Sequence, residues 1–353
     1  MRSRHNLLAV SLSLSVFAAA ACAQNFSERD AIIVAFSNKL WKIYADGQID
    51  SLSIPLPSQP SSGRSGIGST RPAPAPDMSV IALIADYNLW LYELDSSQLS
   101  KLTSVGQPYN EDFLAVKTYI TGWSPNSQFL LYAIAPGIAG DDGPVMKREV
   151  AYGHYVFDQR TFVHTKVTFP KIYNHTSMSL PATFQTWLSD DSVLLQARNP
   201  RTEWELFKFS LSTQTTELLA TFHFEVQAVD VNKNGLWMLA KALDWRKRRC
   251  RIVRIDLKTS KLMPMTEWAR WAEIQHVALS PDDSKFSYVV RVPSSSEGRY
   301  NFRVKIEDTV LHESQSHCLV NWIRHDRVAI MSNEEITILD VPTRELLATY
   351  HLD

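Results

Sequence analysis

A cluster of cations beside a tryptophan is the part of this sequence that most directly suggests binding chemistry. It lies in the segment DWRKRRCR, residues 244–251, of a 353-residue chain whose formal net charge is −1. The cluster comprises Trp245, Arg246, Lys247, Arg248, Arg249 and Arg251. Positive charge this dense attracts phosphates and carboxylates over a Debye length, about 10 Å at 0.1 M salt. The segment predicts either a solvated hairpin tip or a tip that binds lipid head groups or an acidic protein.

Two histidines could contribute to a metal site. His276 and His317 precede the turn sequences LSPDD and WIRHD, and counting back from those turns places them on one face, offset by two residues. We expect both to lie on strands that line a channel. A metal site needs at least three converging ligands, and the sequence supplies only these two. Two structural histidines are therefore the first expectation, and a metal site is the alternative.

Carboxylate pairs occur at Asp190–Asp191 and Asp282–Asp283. Paired carboxylates can act in general acid–base catalysis. Both pairs, however, stand just before an apolar run, where a hairpin turn is expected, so we interpret them as turn caps. The motifs G-x-S-x-G and H-E-x-x-H and a phosphate-binding glycine loop do not occur in the sequence. The sequence thus leans away from an enzyme and implies no cofactor.

The first 23 residues have the organisation of an export signal. Arg2 and Arg4 precede an apolar stretch that ends in small residues. The triplet Ala21-Cys22-Ala23 fits cleavage after Ala23, whereas the preceding alanines and Cys22 resemble a degenerate bacterial lipobox, which would end the signal at residue 21 and lipidate Cys22. We therefore expect an exported protein that is periplasmic, extracellular or anchored on the outer side of the cytoplasmic membrane.

The elements that position these residues follow from a recurring sequence unit. A polar turn followed by an apolar run occurs at residues 74–84, 123–132, 187–196, 231–239, 279–290 and 322–331. Each copy precedes two alternating strands joined by a polar turn, as in RIVRIDLKTSKLMPM at 251–265. A repeat of roughly 40–50 residues is typical of propeller blades, each a four-stranded antiparallel sheet.

The copy WSPNSQFLLY at 123–132 shows how one unit should fold. Its Pro, Asn and Ser residues favour the turn between the two inner strands, and the apolar run is buried between neighbouring blades. Trp123, Trp187 and Trp322 stand three positions before the corresponding turn residue. We expect these indoles to fill the space between adjacent blades.

The number of blades depends on the start of the chain. A seventh unit near residues 27–53 contains the later strands of a blade without an inner one. We predict one all-β propeller domain over residues 24–353, with seven four-stranded antiparallel blades favoured over six. Residues 54–77, rich in Pro, Ser and Gly, should form a flexible connection, and residues 135–151 a surface insertion. The prolines near residue 74 should weaken the inner strand there.

The turn W-S-P-[DN]-[GS], its apolar strand and the L-x-x-x-D-x-x-[ST] pattern that follows resemble the WD40-like PD40 repeat. That repeat builds the propeller of TolB-like periplasmic proteins, and similar repeats form the propeller domain of prolyl oligopeptidase-type peptidases. The resemblance covers residues 27–351 and is closest at 122–133 and 279–290. It implies an exported propeller.

These observations predict an extracytoplasmic, non-catalytic propeller that binds a protein or a cell-envelope component. The alternatives are a channel-site enzyme, such as a polysaccharide lyase or hydrolase, and a structural subunit of an envelope assembly. The near-zero net charge argues against a nucleic-acid partner. Membrane association would arise through a lipid on Cys22 or through the basic tip.

Overall fold

The computed structural model describes residues 31–36, 39–54, 72–106, 116–136, 151–168, 183–199, 201–294, 300–332 and 335–352. The expected export signal with Cys22 lies outside these residues, as do most of the connection at 54–77 and most of the insertion at 135–151. In the part of the chain that the structure describes, no helix is long and apolar enough to cross a membrane.

The protein is an all-β propeller of seven blades, which confirms the predicted fold class and blade number. Blade one contains β1 (Ala31–Phe36), β2 (Lys39–Tyr44) and β3 (Ile49–Leu52). Blade two contains β4 (Ala73–Pro74), β5 (Val80–Ala85), β6 (Asn88–Glu93) and β7 (Leu99–Lys101). Blade three contains β8 (Val116–Trp123), β9 (Phe129–Pro136), β10 (Gly153–Asp158) and β11 (Val163–Val167). Blade four contains β12 (Thr183–Trp187), β13 (Ser192–Arg198), β14 (Trp204–Ser210) and β15 (Thr216–Phe222).

The remaining three blades have the same antiparallel order. Blade five contains β16 (Glu225–Val231), β17 (Trp237–Asp244), β18 (Arg249–Asp256) and β19 (Leu262–Pro264), with β20 (Ala269–Arg270) also paired to β18. Blade six contains β21 (Ile274–Leu279), β22 (Phe286–Pro293), β23 (Tyr300–Ile306) and β24 (Thr309–Ser314). Blade seven contains β25 (Leu319–Arg324), β26 (Arg327–Met331), β27 (Glu335–Asp340) and β28 (Leu346–His351).

Two blades have weak inner edges, as the sequence predicts. Within the described residues blade one has three strands, and its sequence matches the later strands of the repeat. In blade two the inner strand β4 has only two residues, because Pro74 cannot donate a ladder hydrogen bond. Among the described residues, the inner edge of the ring is therefore shortest where blades one and two meet.

The hydrophobic core is divided among the interfaces between neighbouring blades. One cluster joins blades two and three through Val80, Leu91 and Leu130, and equivalent clusters fill the following interfaces. The ring closes through a cluster in which Trp41 and Ile43 of blade one meet residues of β26 and β27 in blade seven. Since apolar burial supplies most of the folding free energy, the blades are stabilised chiefly by contact with one another.

The three tryptophans of the repeat join adjacent blades by hydrogen bonds as well as by packing. Each indole N–H donates to a backbone carbonyl in the preceding blade: Trp123 to Ala73 at 2.9 Å, Trp187 to Gly122 at 3.1 Å, and Trp322 to Ala278 at 3.4 Å. All three side chains are buried. The predicted inter-blade position is confirmed, and the polar edge of each ring explains why tryptophan stands there.

The turns between the first two strands of a blade also contact the neighbouring blade. Ser127 Oγ accepts the backbone N–H of Asp77 at 2.8 Å, Asp190 Oδ1 accepts that of Asn126 at 2.9 Å, and Asp283 Oδ2 accepts that of Lys233 at 2.9 Å. Turn capping, which the sequence predicts for these carboxylates, therefore accounts for only part of what they do. Asp282 caps its own turn at the N–H of Ser284, whereas Asp190 and Asp283 link one turn to the turn of the preceding blade.

Candidate binding surface

The basic segment forms the hairpin between β17 and β18 in blade five. Residues 245–248 make the turn, and all four side chains are exposed. Asp244 Oδ1 accepts the N–H of Lys247 at 3.2 Å, and the carbonyl of Trp245 accepts the N–H of Arg248 at 3.4 Å. These two bonds close the tight turn, which projects Trp245, Arg246, Lys247 and Arg248 into solvent.

Two of the predicted cations are withdrawn from the tip. Arg249 and Arg251 lie on β18 and are half-buried. Their guanidinium groups stand 4.2 and 4.4 Å from the centre of the Trp268 ring, and Arg249 Nε also bonds Asp244 Oδ2 at 3.1 Å. Burial, together with the positive charge of Arg249, lowers the pKa of Arg251. Both arginines contact the Trp268 ring, so they stabilise the hairpin and do not project from its tip.

Sequence reasoning missed the other half of this surface, which lies in the connection from blade five to blade six. Strand β20 pairs with β18, so that Arg270 lies opposite Arg249. The N–H of Trp271 donates to the carbonyl of Arg248 at 3.1 Å, which brings the Trp271 ring to 5.3 Å from that of Trp245. The available signal was the segment EWARWAE at 267–273, whose two tryptophans fall outside the strand pattern of the repeat.

We name these six residues the Trp–Arg surface: Trp245, Arg246, Lys247, Arg248, Arg270 and Trp271. All six are exposed, with the indoles of Trp245 and Trp271 at 43% and 42%. Within the described residues no carboxylate forms an ion pair with any of its four cations.

Three carboxylates that contact this hairpin and the adjoining connection have other partners. Asp244 binds Arg249, Glu225 accepts the indole N–H of Trp245, and Glu273 accepts the backbone N–H of Arg270 at 3.0 Å. The Trp–Arg surface can therefore offer its positive charge and two adjacent ring faces to a ligand.

The structure brings the two predicted histidines into contact. The Nε2 atoms of His276 and His317 lie 3.1 Å apart, and the ring of Phe302 packs on His317. His276 is on inner strand β21 at φ 45°, within a bulge, but His317 lies in the connection before β25, so its predicted strand position is wrong. Among the described residues no group of three His, Cys, Asp or Glu side chains could hold a metal ion.

The Trp–Arg surface and the histidine pair lie on one face of the ring. In an antiparallel blade the turn between the second and third strands lies at the same end as the connection to the next blade. Residues 245–248 form such a turn, whereas Trp271 and His317 belong to such connections. The opposite face carries the turns between first and second strands, including Asp282 and Asp283.

A buried carboxyl group lies near that opposite face. Asp230 on β16 is 5% exposed, and its Oδ1 accepts the N–H of Val231 at 2.9 Å. Burial, with a smaller contribution from the charge of Asp283, raises the pKa of Asp230 well above its usual value. Burial also raises the pKa of Asp283. The surroundings of these two carboxyl groups, one in blade five and one in blade six, therefore disfavour their negatively charged forms.

Comparison with known proteins yields structural similarity only. No protein-family model matches this chain, and no curated protein matches its sequence. The predicted relation to the PD40 repeat therefore stays a prediction.

Three solved structures of similar fold have sequence identities of 11–15% to this chain. Dipeptidyl peptidase 4 of Porphyromonas gingivalis has a TM-score of 0.48 at 11% identity, with 91% of this chain and 50% of that chain covered. TolB of Acinetobacter baumannii has a TM-score of 0.44 at 15% identity, covering 89% and 77%. Oligogalacturonate lyase of Vibrio parahaemolyticus has a TM-score of 0.48 at 12% identity, covering 78% and 75%. This chain thus spans half the length of the peptidase.

Proposed function

We propose that the protein is an extracytoplasmic, non-catalytic propeller that binds a protein or a cell-envelope component through one face of the ring. The observation that carries this proposal is the Trp–Arg surface. Its two exposed indoles stand 5.3 Å apart beside cations that have no carboxylate partner among the described residues. Tryptophan and arginine dominate the binding energy of known interfaces, because each combines large contact area with directed polar groups.

The supporting hydrogen bonds favour recognition by a preformed surface. Strand β20 is paired to β18, and the single S–H of Cys250 is shared between the carbonyls of Arg270 and Trp271, whose oxygens lie 3.4 and 3.3 Å from Sγ. These contacts hold the connection against the hairpin before any ligand arrives. A surface that needs no ordering keeps more of its contact free energy as affinity.

Site-specific photocrosslinking in the source cells tests this proposal. A photoreactive residue replaces Lys247 in one variant and Lys258 in a control, because Lys258 is exposed in another hairpin of the same blade. We expect a defined adduct from position 247, absent from position 258, in an extracytoplasmic fraction. The absence of any adduct at 247, or the same adduct at both positions, would reject the proposal.

A second candidate function, an enzyme with a site at the channel, draws on the histidine pair. Two imidazoles with Nε2 atoms 3.1 Å apart could share a proton or supply two ligands of a metal site. We expect such an enzyme to degrade a polysaccharide, to contain metal after purification, and to lose both properties in His276→Gln. A metal-free wild-type protein without such activity would remove this candidate.

A further inference from the structure

We propose that the Trp–Arg surface docks the protein on an anionic phospholipid surface, with its two indoles at the depth of the head groups and its cations on the lipid phosphates. This inference rests on the proposed binding function and names the chemistry of the component bound. Four features of blade five support it.

The first feature is the pair of exposed indoles. Trp245 and Trp271 each leave more than two fifths of their surface in water, with ring centres 5.3 Å apart. Indoles are amphipathic, and they concentrate at the boundary between head groups and acyl chains. The two neighbouring rings expose an apolar surface to water, and a membrane interface would bury that surface.

The second feature is uncompensated positive charge. Arg246, Lys247 and Arg248 are consecutive and exposed. Arg270 lies directly opposite Arg249 in an antiparallel pair, where like charges destabilise the sheet. A phosphate bound by the exposed Arg270 would offset this repulsion, since arginine binds phosphate through two parallel N–H groups.

The third feature distinguishes a lipid surface from an acidic protein. Three backbone N–H groups at the tip have internal acceptors: that of Lys247 donates to Asp244, that of Arg248 to Trp245, and that of Trp271 to Arg248. Lipid phosphates can be bound by the side chains of such a tip, and paired indoles suit a membrane interface, which favours a lipid surface over an acidic protein. The turn therefore offers side chains, not backbone groups, to its ligand.

The fourth feature is the support beneath the tip. Arg249 and Arg251 stack on Trp268, and Phe224 packs edge-on against that ring. The tip thus stands on a packed layer, so docking requires no rearrangement of blade five.

Sedimentation with vesicles tests the inference. The full chain carries Cys22→Ala in every sample, so that a lipid on that residue cannot contribute. Vesicles contain phosphatidylcholine alone or with phosphatidylglycerol. The test variants are Trp245→Ala with Trp271→Ala, and Arg246→Gln with Lys247→Gln, Arg248→Gln and Arg270→Gln.

Controls come from the same blade. Leu236→Ala removes a side chain that is 56% exposed at the opposite face, and Lys258→Gln with Lys261→Gln removes two exposed cations from another hairpin. Circular dichroism verifies that every variant folds. Each cation near an anionic leaflet contributes about fivefold to partitioning, so the loss of four cations should weaken binding by about 600-fold if their contributions are additive.

We expect wild type and controls to bind phosphatidylglycerol vesicles, with added salt weakening that binding, and both test variants to lose it. Equal binding to neutral vesicles, or equal loss in the controls, would overturn the inference. If wild type ignores both vesicles but is retained on immobilised polyglutamate through the same residues, the partner is an acidic protein. The inference then fails and the proposed binding function stands. An absence of binding to vesicles and polyglutamate, together with no crosslink at position 247, would reject both.

Discussion

Replacing Trp187 by phenylalanine measures how much one indole N–H contributes to joining two blades. The Trp187 side chain is 3% exposed, and its Nε1 donates to the carbonyl of Gly122 in blade three at 3.1 Å. Phenylalanine keeps most of the packing against Leu131 and Val193 but leaves that carbonyl without its donor.

The expected loss follows from two contributions. A buried acceptor that loses its partner costs about 1–3 kcal/mol. The smaller ring also leaves a cavity. The cost of that cavity is limited, because even full truncation of a buried aromatic side chain costs only about 3–5 kcal/mol in total. Trp187→Phe should therefore lower the free energy of unfolding by about 2–3 kcal/mol. Trp123→Phe should cost as much, and Trp322→Phe less, because its hydrogen bond of 3.4 Å is the longest of the three.

Guanidinium titration followed by far-ultraviolet circular dichroism measures these losses. The matched control is Trp271→Phe, since that indole is 42% exposed and an exposed substitution usually changes stability by about 0.5 kcal/mol or less. If Trp187→Phe and Trp271→Phe cost the same, or if Trp187→Phe costs less than about 0.5 kcal/mol, the hydrogen bond does not couple the blades as we argue.

Two further predictions concern a buried charge and the N-terminus. Burial raises the pKa of Asp230, so the folded protein favours the neutral carboxyl group more strongly than the unfolded chain does. Its contribution to stability is complete below the unfolded carboxyl pKa of about 4 and is lost as the pH rises towards the folded value. Asp230→Asn should consequently match wild type in thermal stability near pH 4 and exceed it increasingly towards pH 7; a constant difference between the two would contradict the burial argument. If Cys22 is lipidated, Cys22→Ala should move the protein from the membrane fraction to the soluble extracytoplasmic fraction, and a wild-type protein that is already soluble there would exclude lipidation.

The repeat architecture could be predicted because its signals are local. The Pro, Asn and Ser residues of a turn act within a few positions of the chain, and the resulting hairpins repeat at a regular interval. The buried tryptophans and the weak inner strand at Pro74 followed from the same local chemistry. The amino-acid sequence by itself therefore determined a propeller, favoured seven blades over six, and located the basic hairpin.

The composition of the candidate site was decided only by tertiary contacts. Pairing of β20 with β18 brings Trp271 beside Trp245, and stacking on Trp268 withdraws Arg249 and Arg251 from the tip. Residues that follow one another along the chain can thus be separated by strand alternation, whereas residues far apart meet across a sheet edge. The sequence shows which cations are close together along the chain, but not which of them face solvent. Only the fold of the blade exposes Arg246, Lys247 and Arg248 and places Trp271 beside Trp245.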